Sequence, residues 1–365
     1  MLICVNKTSA LALLRHVRAT GELAHAQICG LPEPDPLPQR RWTARLIPHE
    51  LLGLRDAPSP ERRVCVAVPS QETRPLASFF SSTVYSTGLP PGSFLQLSND
   101  LVIPCPELLF IELARVMHPA VHELLGYELC GTFARSPIDP RTGGVTHGLA
   151  PVTDVLHIGD YIDRCQGIAG MPAARRHLKN VRDNAWSAIE AVMALMLVRP
   201  VRDLGYGIEK ITLNKRQGNP RALVQRGCMS SRVPDIVLDD LPVGFNYDGH
   251  DHLNLSSIIK SISNSTELRA SLAQLRNKYV DDRKRDRELA AQGRVVMPVV
   301  AEDVFACGGL DTVVLEALMA SERLGGPAAA SVVEDGAWNH QVEQARQQLV
   351  WSLLPWEGGK SLGAF

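Results

Sequence analysis

Two short apolar runs leave little choice of local structure. Pro234-Asp235-Ile236-Val237-Leu238 and Val243-Gly244-Phe245-Asn246-Tyr247 are separated by the turn Asp239-Asp240-Leu241-Pro242. Such runs, rich in β-branched and aromatic residues and joined by a short acidic turn, predict a β-hairpin. Alternation along the second strand puts Phe245 and Tyr247 on one face and Asn246 and Asp248 on the other. With the strands in register, Asp235 approaches Asn246 or Asp248.

The flanking segments extend this hairpin into a larger unit. Arg175–Val181 and Asn184–Val198 read as helices, the second strongly apolar with Glu190 as its acidic residue. Lys210–Asn214 reads as a strand, Lys278–Gln292 as a charged helix closed by Gly293, Val295–Val300 as an apolar strand and Thr312–Ser321 as a helix. The order predicts an α/β core, a mixed sheet flanked by helices, over residues 170–325, followed by a tail at 326–365. A smaller α+β domain is expected over residues 1–150. Its signals are a helix within residues 6–28, a proline-rich extended connector at 30–40 and the strand Val64–Val68. Short strands follow at Val84-Tyr85 and Leu101–Ile103, then a helix over Glu107–Met117 with Pro106 at its start. The loop-like stretch Pro137–Pro151 leads to a domain boundary between about 150 and 170.

Composition narrows the class. The formal net charge of −1 rules out a global polycation, so any nucleic-acid surface must be a local patch. Eight cysteines are scattered singly without a CxxC pair, which gives no support to a zinc ribbon or a thioredoxin-type motif and favours buried reduced thiols. The opening apolar run before Lys7 is too short for a secretory leader, and the apolar run Ala188–Val198 is too short for a membrane span. A cytoplasmic protein with no membrane partner is the expectation. No GxGxxG, Walker loop or GxSxG in a suitable context supports a small-molecule enzyme in the first half.

The candidate chemistry gathers around the hairpin. Asp235 and Asp248, with Glu190 from a helix packed on the same edge, would supply the hard oxygen ligands that magnesium takes. Such an ion would stabilise charge on a phosphodiester and lower the pKa of an attacking water, with His250 or His252 moving protons near neutral pH. Each residue also has a plainer reading: Glu190 in a local ion pair, Asp235 in a cap or paired with Arg232, Asp248-Gly249 as a turn, the histidines on an exposed loop.

Pro-Asp-Ile-Val-Leu, then Phe-Asn-Tyr-Asp-Gly-His-Asp-His, then the charged helix with Gly293 and Val295–Val300, resembles the PD-(D/E)XK nuclease superfamily over roughly residues 175–305. Within it the likeness is to small domains similar to very-short-patch repair endonucleases. The resemblance implies a restriction-endonuclease-like core with magnesium as cofactor. It implies catalytic roles for Glu190, Asp235, Asn246, Asp248 and His252 (or His250), with Glu190, Asp235 and Asp248 as the metal ligands. Asn246 departs from the pattern, standing where those domains have glutamate, and its amide oxygen brings no charge to a metal. The segment Val102–Ala114 is similar to the strand-to-helix part of abortive-infection type antitoxin regulators, which implies a role in phage defence.

Charge patterning names the partner. Six basic residues and no acidic one lie between Lys210 and Arg232, and Arg276–Arg294 carries seven basic against four acidic residues. Lys215, Arg216, Arg221, Arg226, Arg232, Arg283, Arg285 and Arg287 are the candidate phosphate contacts. Sparse aromatic interleaving favours duplex DNA over single strands. Two functions stay open: a magnesium-dependent endonuclease, or a catalytically inactive DNA-binding regulator of antitoxin type. A homodimer is compatible with either.

Overall fold

A computed structural model describes residues 3–32, 43–86, 88–248, 265–333 and 336–355. The chain is mixed α/β and divides into two compact units at Ala191/Val192, with Ser352–Pro355 joining the first unit. The division falls inside a helix, beyond the boundary expected between about 150 and 170. The described cysteines are free thiols, and Cys4, Cys105, Cys130 and Cys165 are buried as expected. No helix among the described residues is long and apolar enough to cross a membrane.

The first unit is organised on a four-stranded sheet of β1 (Ile3–Cys4), β6 (Leu101–Pro104), β5 (Phe94–Ser98) and β2 (Gln27–Cys29), in that order. A parallel pair, β3 (Val64–Val68) and β4 (Phe80–Val84), joins it through a bridge from Val5 to Val66. Helix α1 (Lys7–Thr20) buries Leu11, Leu13, Leu14 and Val17, and Gly21, at φ 81°, closes it in the left-handed conformation. Helix α2 (Pro106–Leu113) starts with proline in its first turn and stops four residues short of the sequence expectation at Met117. The chain instead begins a second helix, α3 (Pro119–Leu129), again opened by proline. A short antiparallel pair follows, β7 (Phe133–Ala134) with β8 (Thr146–His147). Helices α4 (Val155–Arg164) and α5 (Met171–Leu178) complete the unit, and α4 is capped by the Asp154 carboxylate accepting from the His157 N–H at 2.8 Å.

Helix α6 (Ala188–Val198) leads into the second unit. Its sheet has the order β14 (Val295–Val300), β13 (Val243–Asp248), β12 (Ile236–Leu238), β9 (Ile211–Leu213). β9, β12 and β13 form an antiparallel meander, and β14 runs parallel to β13. Pro298, which cannot donate to a ladder, is tolerated because β14 is an edge strand. A small hairpin of β10 (Gln217–Gly218) and β11 (Ser231–Arg232) encloses the short helix α7 (Arg221–Val224). The crossover from β13 to β14 contains α8 (Ser265–Ala290), ended by Gly293 at φ 78°. Helices α9 (Ala301–Phe305), α10 (Gly309–Arg323), α11 (Ala329–Val332) and α12 (His340–Leu353) follow, so the described part of the expected tail is helical at Ala329–Val332 and His340–Leu353. The proline-rich connector at 30–40 lies largely outside the described residues.

One glycine sets how closely the central strands approach. A Cβ at Gly244 would stand 2.5 Å from the Ile236 carbonyl oxygen on β12. Gly244→Ala is expected to force β12 and β13 apart and to destabilise the second unit by about 1–3 kcal/mol, as overpacking does. Faster amide exchange confined to β12 and β13 would check this.

Candidate nucleic-acid interface

The hairpin brings Asp235 and Asn246 together as expected. The ladder runs to Ile236 opposite Phe245, and the next step would pair Asp235 with Asn246. Pro234 has no N–H to give at this end, and side chains continue the pairing instead. The Asp235 N–H donates to Asn246 Oδ1 at 3.1 Å, and the Tyr247 N–H donates to Asp235 Oδ2 at 2.7 Å. Asn246 is 2% exposed. Both side chains therefore satisfy backbone donors at the mouth of the hairpin.

Asp248, one step outward, faces helix α8. Burial pushes its carboxyl up, Asp282 adds to this, and Arg285, Lys278 and Arg283 oppose it. Asp286 is raised by burial too, with Asp248 and Asp282 contributing.

Glu190 has local work. Ser187 Oγ donates to Glu190 Oε1 at 3.0 Å, the Trp186 N–H donates to Oε2 at 3.1 Å, and the Glu190 N–H donates to Ser187 Oγ at 3.2 Å. These bonds form a capping arrangement of the Ser-x-x-Glu kind at the start of α6, which is why the helix begins at Ala188 rather than at Asn184. Glu190 belongs to the first unit and Asp235 to the second. Among the described residues no group of three or more His, Cys, Asp or Glu is placed to hold a metal ion. His250 and His252 lie outside the described residues.

Among the described residues, Glu190 and Asn246 do not fit magnesium. That ion asks for charged oxygens in near-octahedral array. Here an amide stands at the position of the expected glutamate, an oxygen of Asp235 and the Asn246 oxygen each accept a backbone N–H, and both Glu190 oxygens serve the α6 cap.

The basic run sorts into paired and unpaired groups. Lys210 meets Asp240 at 2.8 Å and Lys215 meets Asp239 at 3.5 Å, so the turn of the hairpin supplies acids that the run itself lacks. Arg232, a candidate phosphate contact, is instead buried at 6% exposure. Its Nε and Nη2 donate to the two oxygens of Glu288 at 2.8 and 3.0 Å, and its Nη1 donates to Asp281 at 2.9 Å. Arg285 is likewise drawn in, 3.3 Å from Asp282 and 3.7 Å from Asp286. These two arginines are structural, because their charge is spent on carboxylates of α8.

What they hold in place is the surface. Arg232 and Asn219 both bond Glu288, and Gln292 donates to Asn219 Oδ1 at 2.7 Å, which fastens the β10–β11 hairpin along the second half of α8. Arg221 and Arg226 sit exposed on the connection within that hairpin, without an acidic partner among the described residues, and Arg216 bonds only the Ser231 hydroxyl at 2.8 Å. On α8, Arg276, Arg283 and Arg287 fall on one line of the helix at i, i+7 and i+11, all exposed, with Lys284 beside them. Arg283 leans over the Tyr279 ring at 5.7 Å and meets Asp286 at 3.2 Å. Asp282, Asp286 and Glu288 lie off that line. Helix α8 thus has a basic edge and an acidic one. Arg276 and Lys284 join the candidate surface; their signal was helical spacing, hidden by the mixed charge of the run.

Compared with protein-family models, with curated proteins and with solved structures, the chain matches none.

Proposed function

We propose that the second unit is a nuclease-type domain that holds duplex DNA without cutting it. The order helix, three-stranded meander, crossover helix, parallel strand supports the restriction-endonuclease-like reading, since it sets Asp235 and Asn246 side by side on neighbouring strands. The observation that carries the loss of chemistry is Asn246: uncharged, buried and committed to the Asp235 N–H. The observation favouring a nucleic acid is the set of cations Arg221, Arg226, Arg276, Lys284 and Arg287, without acidic partners among the described residues, on two elements that Arg232 and Glu288 clamp together. A regulator of this kind needs phosphate contacts and no metal.

The test is plasmid nicking beside a mobility shift. With supercoiled plasmid and magnesium or manganese, no nicking is expected, while duplex DNA is shifted equally well in EDTA. Nicking that vanishes in Asp235→Ala would overturn the reading and make Asn246 a tolerated metal neighbour. Absence of any shift at low salt would remove DNA as the partner.

A further inference from the structure

A cleft of about 810 Å³ lies in the first unit, where the end of α2 meets the start of α5. Gly170 makes that meeting close: it stands at φ 109°, and a Cβ there would be 2.3 Å from the Ile111 carbonyl oxygen. Pro119, Ile168, Met171 and Pro172 give the cleft apolar walls. Its charged lining residues are Arg115 and Arg176, and no aspartate or glutamate lines it. Neither guanidinium has an acidic partner among the described residues, whereas the adjacent Arg175 is paired with Asp163 at 2.5 Å.

Buried His177 forms part of the lining, and its ring is held from behind. The Phe110 carbonyl can only accept, so His122 Nε2 donates to it at 2.7 Å. Burial pushes the His122 imidazole down to about 3, which keeps it neutral and leaves Nδ1 as an acceptor. His177 Nδ1 therefore donates across the 3.0 Å contact between the rings. This chain fixes the His122 tautomer and orients the His177 ring.

We propose that this cleft binds an organic phosphate, with the phosphate between Arg115 and Arg176 and an apolar body against Ile168, Met171 and the prolines. The size falls in the usual range for small-molecule sites, apolar walls with a few convergent polar groups are their usual lining, and guanidinium forks match phosphate oxygens. The charge of the lining is one-sided: two arginines and no acid line the cleft, next to the positive end of the α5 dipole. The inference is independent of the DNA reading, which concerns the other unit.

Calorimetric titration of the full chain with phenyl phosphate and with inorganic phosphate tests it. Phenyl phosphate is expected to bind at least about tenfold more tightly than inorganic phosphate, roughly the effect of 1.4 kcal/mol of apolar burial. In Arg115→Gln/Arg176→Gln, an exposed pair whose loss spares the core, phenyl phosphate is expected to weaken at least about tenfold. Ala173→Leu, which narrows the cleft and leaves both charges, should weaken it too. No phenyl phosphate binding, equal affinity for the two probes, or full binding in either variant would overturn the proposal.

Discussion

Glu128→Ala is expected to be the most destabilising single substitution in the first unit, with a loss of about 3–5 kcal/mol. Glu128 is 1% exposed on α3 and receives Arg15 through two bonds of 2.8 Å. Arg135 adds its Nε at 2.8 Å and its backbone N–H at 2.9 Å. Arg18, also buried, donates to the carbonyls of Glu128, Gly131 and Ala150. Removing the one carboxylate leaves Arg15 and Arg135 buried without it, and desolvated charge without a partner is what makes such losses large. Replacing the whole set, as in Arg15→Met/Glu128→Leu/Arg135→Met, should cost much less than the sum of the single changes. Denaturation followed by amide exchange in α1 and α3 measures both. A loss below about 1 kcal/mol for Glu128→Ala would mean that the pair behaves like a solvated surface bridge.

The same group sets an acid limit. Burial pushes the Glu128 carboxyl up, but Arg15 and Arg135 outweigh it and hold the carboxyl well below the usual range. A carboxyl depressed in the folded state stabilises it above the unfolded pKa, and that contribution fades as pH falls through and below the ordinary carboxylate range. The Glu128 contribution should therefore be constant near neutrality and fade progressively below about pH 5. Buried His122, held neutral down to about 3, adds a loss that begins as pH falls below its ordinary value of about 6.5.

Strands with strong period-two or continuous apolar patterns could be read from the chain alone: β3, β12, β13 and β14 stand within two residues of expectation. Helix α3 could not. Its His122, Glu123 and Glu128 interrupt any apolar stripe, yet all three are buried, because their partners arrive from far along the chain. Arg232 shows the same effect in the candidate interface. A basic run without acids reads as a solvated patch, and only the fold brings Glu288, 56 residues on, to neutralise one member of it. Glu190 is the opposite case. Its role was written locally, in the serine three residues before it, but a Ser-x-x-Glu cap and an acidic ligand on an apolar helix look alike until both oxygens are followed. Arg115 and Arg176 have no local mark at all, since a cleft wall is defined by what is absent opposite them.

The DNA reading makes its sharpest demand on salt. If Arg221, Arg226, Lys284 and Arg287 each neutralise a phosphate, the quadruple Gln variant should bind duplex DNA with a flatter dependence on salt. The slope of log affinity against log salt falls by about 0.9 per lost contact, hence by up to roughly 3.6 for four. Affinity at low salt should drop by at least about a hundredfold, on the order of 2.7 kcal/mol. Lys210→Gln/Lys215→Gln is the control of like character. Those lysines lie in the same run but already face Asp240 and Asp239, so both slope and affinity should change far less. The two variants separate a surface organised by the Arg232–Glu288 clamp from a general preference for positive charge. Equal flattening in both would point to net charge alone, and no flattening in the quadruple variant would place DNA elsewhere on the chain or nowhere on it. Fluorescence anisotropy of a labelled duplex, titrated at several salt concentrations with EDTA present throughout, reads slope and affinity together and keeps any metal-dependent event out of the measurement.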